Sequence, residues 1–232
     1  MPMTRSKLSD LSLDQLRGAM RDVYRRGNGS RPDVLLVGVG EERAVLKDHG
    51  ACDPWFARLL GPMLSGREAR ALTRLHDVQG IPRLLGRPDS RSLLIEYLPA
   101  TALEDGAEDT DWPAFFARLE SLLADMHSQG IAHCDLRSPY NTMIGAAGEP
   151  YIVDFVASVS RGRRWNISAN LLFERFARAD REAIVKLKMS AAPHLVSEQE
   201  GAAYVSRSLL ERFARRIGAT TRNLSRKLFT RS

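Results

Sequence analysis

Cysteine is scarce: Cys52 and Cys134 are the two in 232 residues. Two thiols cannot staple a chain of this size, and neither stands in a CxxC or zinc-ligand spacing, which excludes a disulfide scaffold and a zinc module. A reducing, cytoplasmic location fits that usage. Long apolar runs are missing as well. No stretch approaches the roughly 18 residues of a membrane span, and the N-terminal MPMTRSKLSD lacks the apolar centre of a signal peptide, so no secretory leader is expected. There is no internal repeat and no low-complexity stretch.

What is present is ordinary for a soluble protein. Hydrophobic residues are 44% and charged residues 27% of the chain, enough to bury a core in one large domain or two small ones. The net charge of +6 is unevenly placed. Residues 207–232 hold seven Arg, one Lys and a single acid, a balance of +7, so the rest of the chain carries about −1. The excess belongs to an appendage and not to a basic body. On a helical wheel Leu209, Phe213, Ile217, Leu224 and Leu228 share one side of that appendage, and Arg212, Arg215, Arg216, Arg222 and Arg226 share the other. Such a helix can lie on an anionic membrane surface, or pack on the body of the protein with its basic side solvated. Aromatic residues are too few there to favour nucleic acid as the partner.

Periodicity sets the outline. Residues 9–25 place Leu13, Leu16, Met20 and Val23 at helical spacing, with Ser12 or Asp14 as the N-cap. After Gly27-Asn28-Gly29-Ser30, residues 34–37 and 43–48 read as strands around a turn at Gly38 and Gly40. Residues 67–76 read as helix, and 81–86 and 92–98 as strands. An acidic, irregular stretch at 101–111 precedes a long helix over 112–129, stopped by Gly130. Short strands follow at 131–133, 142–144 and 151–153, and everything beyond Arg161 reads helical. Strands first and helices later predict an α+β chain with two lobes. The divisions fall at residues 1–98, 99–206 and 207–232.

The chemistry concentrates in IAHCDLRSPYNTMIGAAGEPYIVDFV, residues 131–156. Asp135 and Asp154 each end a short apolar strand, a costly place for a carboxylate without a task. His133-Cys134-Asp135-Leu136, Asn141 and Asp154-Phe155 follow in order. Upstream, Lys47 sits in AVLKD, Glu68 in REARAL comes 21 residues later, and LLIEYLPA lies between them and the motif. Lys47 and Glu68 taken alone could be a surface pair, but Lys47 closes an apolar strand. His133 and His127 read as packed, hydrogen-bonded histidines. Cys134 reads as a small side chain without the base a nucleophile needs.

These landmarks resemble the protein-kinase-like superfamily. The resemblance spans about residues 27–160 and is most similar to bacterial lipopolysaccharide-core (Kdo and heptose) kinases and RIO-like kinases. The later DREAIVKL, beginning at Asp180, also looks like the bacterial group. The resemblance implies a two-lobed kinase fold with a shortened activation segment, and ATP and Mg²⁺ as cofactors. It assigns Asn141 and Asp154 to the metal, Asp135 to the acceptor hydroxyl as base or orienter, and Lys47 to the α- and β-phosphates with Glu68 fixing it. Arg137 would neutralise the γ-phosphate. Gly27 and Gly29 would belong to the glycine loop between the first two strands, and Glu96 and Leu98 would hold adenine through backbone groups, with Ile95 behind it.

The chain departs from the kinase pattern in four places. The glycine loop lacks a full GxGxxG. Asn141 is the sixth residue after Asp135, where the usual position is the fifth. Cys134 replaces the Arg that anchors a phosphorylated loop, and Val156 follows Phe155 with no APE-like segment beyond. The implied activity is transfer of the ATP γ-phosphate to a hydroxyl of a lipopolysaccharide-core sugar, at the inner membrane face. A RIO-like Ser/Thr protein kinase and a pseudokinase that only binds nucleotide are the alternatives.

Overall fold

The computed structural model describes residues 7–105, 110–202 and 204. In chain order these form α1 (Leu13–Gly18), β1 (Met20–Arg25), β2 (Asp33–Val39), β3 (Glu42–Asp48), α2 (Pro54–Leu59), α3 (Gly61–Arg74), β4 (Leu84–Gly86) and β5 (Ser92–Glu96). Then come β6 (Ala100–Ala102), α4 (Trp112–Ser128), β7 (Ile131–Ala132), β8 (Thr142–Gly145), β9 (Pro150–Ile152), β10 (Val159–Ser160) and α5 (Ile167–Ala191). The first five strands make one antiparallel sheet in the order β1-β2-β3-β5-β4. Beyond it lie a three-stranded sheet, β6-β8-β9, and a two-stranded one, β10-β7.

The near-continuous apolar run of β3 has a simple cause: both its faces are covered. With a period of two, Ala44 and Leu46 point one way and Val45 and Lys47 the other. The first face packs with Leu35, Val37 and Leu94 beneath Leu8 and Leu16 of the N-terminal segment. That segment is pinned by Arg17, whose guanidinium holds the buried Asp48 through Nη2 at 2.6 Å and Nε at 3.1 Å. Asp48 also accepts from the Gly50 N–H and the Ser92 hydroxyl, so its charge is fully hydrogen-bonded. The second face turns toward the cleft and the main core, a connected cluster that includes Leu93 and Ile95 of β5, Leu72 of α3, Leu75 just after it, Phe115, Phe116 and Leu119 of α4, and Ile184 and Leu187 of α5.

Several expected elements are corrected. The helix read over 9–25 stops at Gly18, and Met20–Arg25 is strand β1. Gly18 weakens the helix, and β2 supplies ladder partners that a longer helix could not use. The strand at 81–86 shrinks to Leu84–Gly86 because Pro82 has no N–H to give. The strand at 131–133 loses His133, whose N–H is spent on a side chain described below. The 67–76 helix starts earlier, at Gly61, with Pro62 in its first turn. The region beyond Arg161 is not all helix: a loop precedes α5, and Pro193 follows it. The amphipathic pattern of residues 207–232 lies outside the described residues. Among the described residues no helix is long and apolar enough to cross a membrane.

Candidate active site

The parity of β3 turns Lys47 into the space between the large sheet and the helical part. There Lys47 Nζ lies 2.6 Å from Glu68 Oε1 of α3 and 2.9 Å from Asp154 Oδ1. Lys47 and Glu68 are both buried, and Asp154 is partly open to the cleft. Burial works against the Lys47 charge, but the two carboxylates outweigh it and raise its pKa above the ordinary lysine value. Lys47 in turn holds Asp154 below the usual carboxylate range. Burial pushes Glu68 upward against the pull of Lys47, and Glu68 Oε2 has no hydrogen-bond partner among the described residues.

The backbone at Asp154 is left-handed, φ 68°, which is uncommon for a non-glycine residue. The kink aims the carboxylate at Lys47 and sends Phe155 into the core, edge-on to His133 at 4.8 Å. The Phe155 N–H donates to Glu68 Oε1 at 3.2 Å, which repays part of the strain. Asn141 comes from the turn after Asp135. Its Nδ2 donates to the Asp135 carbonyl at 2.9 Å and to Asp135 Oδ2 at 3.1 Å. The long spacing between these two residues is absorbed by consecutive turns, Ser138 N–H to the Asp135 carbonyl and Asn141 N–H to the Ser138 carbonyl.

Lys47, Glu68, Asn141 and Asp154 line one cleft of about 440 Å³. Its apolar walls are Val34 and Val45 on the sheet side and Met143 and Val153 opposite, with Ile95 at the back. Glu96, Tyr97 and Leu98 edge it. Here the Glu96 N–H is taken by the Arg83 carbonyl at 2.9 Å, and the Leu98 carbonyl by the Ala100 N–H at 2.9 Å. The Glu96 carboxylate is clamped by the Arg83 guanidinium at 2.8 and 3.1 Å. A wider groove, about 620 Å³, opens on the other side of this edge, lined by Gly80, Arg83, Arg118 and Glu149 and sharing Glu96 and Leu98 with the cleft, and it contains none of Lys47, Glu68, Asn141 and Asp154.

No protein-family model matches the chain, and no curated protein matches it in sequence. Solved structures do. The Rio2 kinase from Chaetomium thermophilum, as its ADP/Mg²⁺-phosphoaspartate complex, is similar with a TM-score of 0.58 at 18% identity, over 81% of this chain and 64% of that one. A second structure of the Rio2 kinase from the same organism gives 0.58 at 20% identity, over 81% and 63%. This chain has the protein-kinase-like fold. It spans less than two thirds of the Rio2 chains.

Within the kinase-like fold, the residues expected at the site divide into those brought together and those set apart. Lys47, Glu68, Asn141 and Asp154 converge, and Ile95, Glu96 and Leu98 line the same space. Asp135 is exposed just beyond the cleft lining and is joined to it through Asn141. Arg137 points elsewhere: its Nη2 is 3.8 Å from Glu182 of α5, and its carbonyl accepts from Lys186. Gly27 and Gly29 do lie between β1 and β2, but the loop leans on the segment before α2. The Gly29 carbonyl accepts from the Asp53 N–H at 2.9 Å, and a Cβ on Gly27 would stand 3.0 Å from that of Ala51. Tyr24 and Arg25 of β1 reach the cleft mouth in their place.

The role of Asp180 is not evident from DREAIVKL itself. Asp180 sits on the buried stripe of α5, among Phe173, Ala177, Ile184 and Leu187. Its Oδ2 accepts from the His133 N–H at 2.7 Å and from His127 Nε2 at 3.1 Å, and its Oδ1 accepts from the Cys134 N–H at 2.8 Å. It thereby fixes the loop that carries Asp135, including Cys134 in its left-handed φ of 72°. The available signal was a carboxylate at an apolar phase of a helix, which demands partners. Burial pushes the Cys134 thiol up to about 12, so it is no nucleophile.

His133 supplies a pH-dependent prediction. Its Nε2 faces the Val153 carbonyl at 2.9 Å and so carries the proton, while Nδ1 accepts from the Asp135 N–H at 3.3 Å. A second proton would set two N–H groups against each other. Burial accordingly holds its pKa below the ordinary histidine value, as it does for His49. The unfolded chain therefore binds protons that the folded chain refuses. Stability is complete above about pH 6.5 and falls as pH drops from there toward the folded values, by up to about 1.4 kcal/mol per pH unit for each histidine. The urea midpoint should decline between neutral pH and pH 5, and less steeply in His133→Phe. An unchanged slope in that variant would place the titration elsewhere.

Proposed function

We propose that the chain is an ATP-dependent phosphotransferase that moves the γ-phosphate to a hydroxyl. The observation that carries the reading is the convergence of Lys47, Glu68, Asp154 and Asn141, from four separate elements, on one cleft. The kinase-like fold and the ADP/Mg²⁺ bound by the Rio2 neighbour support it. Adenine would occupy the apolar slot, bound by the Glu96 carbonyl and the Leu98 N–H, which the Arg83 and Ala100 bonds do not use.

The donor set suits Mg²⁺, which takes hard oxygens from one or two side chains and the rest from phosphates and water. Asp154 offers a carboxylate. Asn141, with its nitrogen committed to Asp135, presents its amide oxygen on the other side. When bound, the metal would neutralise phosphate charge. Lys47 would hold the α- and β-phosphates, kept in place by Glu68. Asp135, with one oxygen held by Asn141, would orient the acceptor hydroxyl and take its proton on the other oxygen. The acceptor oxygen then bonds to the γ-phosphorus as its bond to the β–γ bridging oxygen breaks, releasing ADP. Arg137 would reach the γ-phosphate only by leaving Glu182.

The acceptor we favour is a lipopolysaccharide-core sugar, on the motif resemblance. A RIO-like Ser/Thr protein kinase is the second reading, favoured by the Rio2 structures. Purified protein should show Mg²⁺-dependent ATP turnover that collapses in Asp135→Ala and Lys47→Ala. Full activity in both variants would reject phosphotransfer through this cleft, and nucleotide-induced thermal stabilisation without turnover would indicate a pseudokinase. With labelled ATP, label in extracted glycolipid supports the sugar acceptor, and label in protein bands supports the RIO-like reading.

A further inference from the structure

The segment following the Asp154 loop has no acidic residue between Asp154 and Glu174. It exposes large apolar side chains instead: Trp165 is 75%, Ile167 70%, Leu171 67% and Leu172 47% accessible. Ile167 and Leu171 are four residues apart on the first turns of α5, so they share one side of the helix. Exposed apolar clusters of this kind mark surfaces meant to be covered. Arg163 and Arg164 stand beside them, also exposed, and neither has a carboxylate partner among the described residues. The Arg163 guanidinium lies 5.4 Å from the centre of the Trp165 ring.

The face is held in shape. Asn166 caps α5 through the Ala169 N–H at 3.1 Å, and its own N–H donates to the Arg163 carbonyl at 2.8 Å. Asn170 Nδ2 donates to the same carbonyl at 3.1 Å. A Cβ on Gly162 would come within 2.8 Å of Ala169, so the loop presses directly on the helix. Ordering is therefore complete before any partner arrives, which lowers the cost of binding.

We infer that residues 163–172 form a docking face for an anionic lipid bilayer. The charge is of one sign, and the apolar groups are a Trp and branched aliphatics next to Arg, the composition that settles at the headgroup boundary. The location gives the face a use. β10, which begins four residues after Phe155, pairs with β7, which leads into the Asp135 loop. That pairing ties the segment entering the face to the stretch entering the Asp135 loop, and in sequence the face is distinct from the basic residues 207–232. The inference does not depend on phosphotransfer, because bilayer binding needs no turnover.

The test uses the full chain with vesicles of phosphatidylcholine alone or mixed with phosphatidylglycerol, each also made with acyl-brominated phosphatidylcholine. Tryptophan quenching is measured in the native chain and in Trp165→Phe, and the difference belongs to Trp165. Quenching of Trp165 by brominated chains on mixed vesicles, and its absence on phosphatidylcholine, is expected. Arg163→Gln with Arg164→Gln should weaken partitioning about 30-fold. Vesicle binding with Trp165 unquenched would assign attachment to another segment and overturn the inference. So would concentration-dependent self-association lost in Trp165→Ala without vesicle binding, which would give the face to a second copy of the chain.

Discussion

Replacing Lys47 with Met is expected to lower phosphoryl transfer by about a thousandfold or more and stability by about 3–5 kcal/mol, and the two losses should separate. The ammonium is shared by Glu68 at 2.6 Å and Asp154 at 2.9 Å, and Glu68 is 1% exposed. Without Lys47, two carboxylates remain close together with no cation between them. Glu68 cannot reach water, and its Oε2 already lacks a partner among the described residues. It will take up a proton, which limits the damage without removing it. In Lys47→Met with Glu68→Gln the buried charge is gone, while an amide oxygen can still accept from the Phe155 N–H. That double variant should regain most of the urea midpoint and none of the turnover. A single variant as stable as the native chain would mean that Glu68 is not held as a buried ion by Lys47.

The second large effect is expected at Asp180, which touches nothing in the cleft. Its 1% exposure and three accepted hydrogen bonds make it the anchor of the His133-Cys134-Asp135 turn. Asp180→Ala orphans two backbone N–H groups and one imidazole, at about 1–3 kcal/mol for each buried group left unpaired. Asp180→Asn keeps the shape but sets an NH₂ against at least one donor. In both, kcat should fall by about a hundredfold or more as Asp135 loses its position. KM for ATP should stay near the native value, since Lys47 and the Glu96–Leu98 edge are untouched. A positioning role predicts that split. Equal loss in both constants, or native kcat in Asp180→Asn, would refute it.

Legibility followed the range of the interaction that decides each element. The helix over residues 112–129 and the strands at 43–48 and 142–144 were readable because short-range periodicity and the Gly130 stop settle them. The helix read through Val23 was not, because β1 owes its form to the distant partner β2. In the site, Lys47 and Asp154 could be picked out as charges in or at the end of apolar strands, and Glu68 and Asn141 through the order and spacing of the kinase-like landmarks. Asp180 obeyed the same rule, but its donors lie about 50 residues away, so spacing gave no hint of its task. The segment at residues 27–29 lies between β1 and β2. Its lean toward Asp53 depends on a backbone contact that composition does not encode.

The sequence alone determined the chemistry on offer: an ordered set of one lysine, several carboxylates and an amide, each tied to a short apolar segment. Tertiary structure decided which of them meet. Side-chain parity on β3 turned Lys47 inward, a left-handed kink aimed Asp154 at it, and an anchor on α5 fixed the turn beside Asn141. The physical reason is that local propensity acts over a few residues, whereas a buried charge is stable only where distant parts of the chain supply its partners.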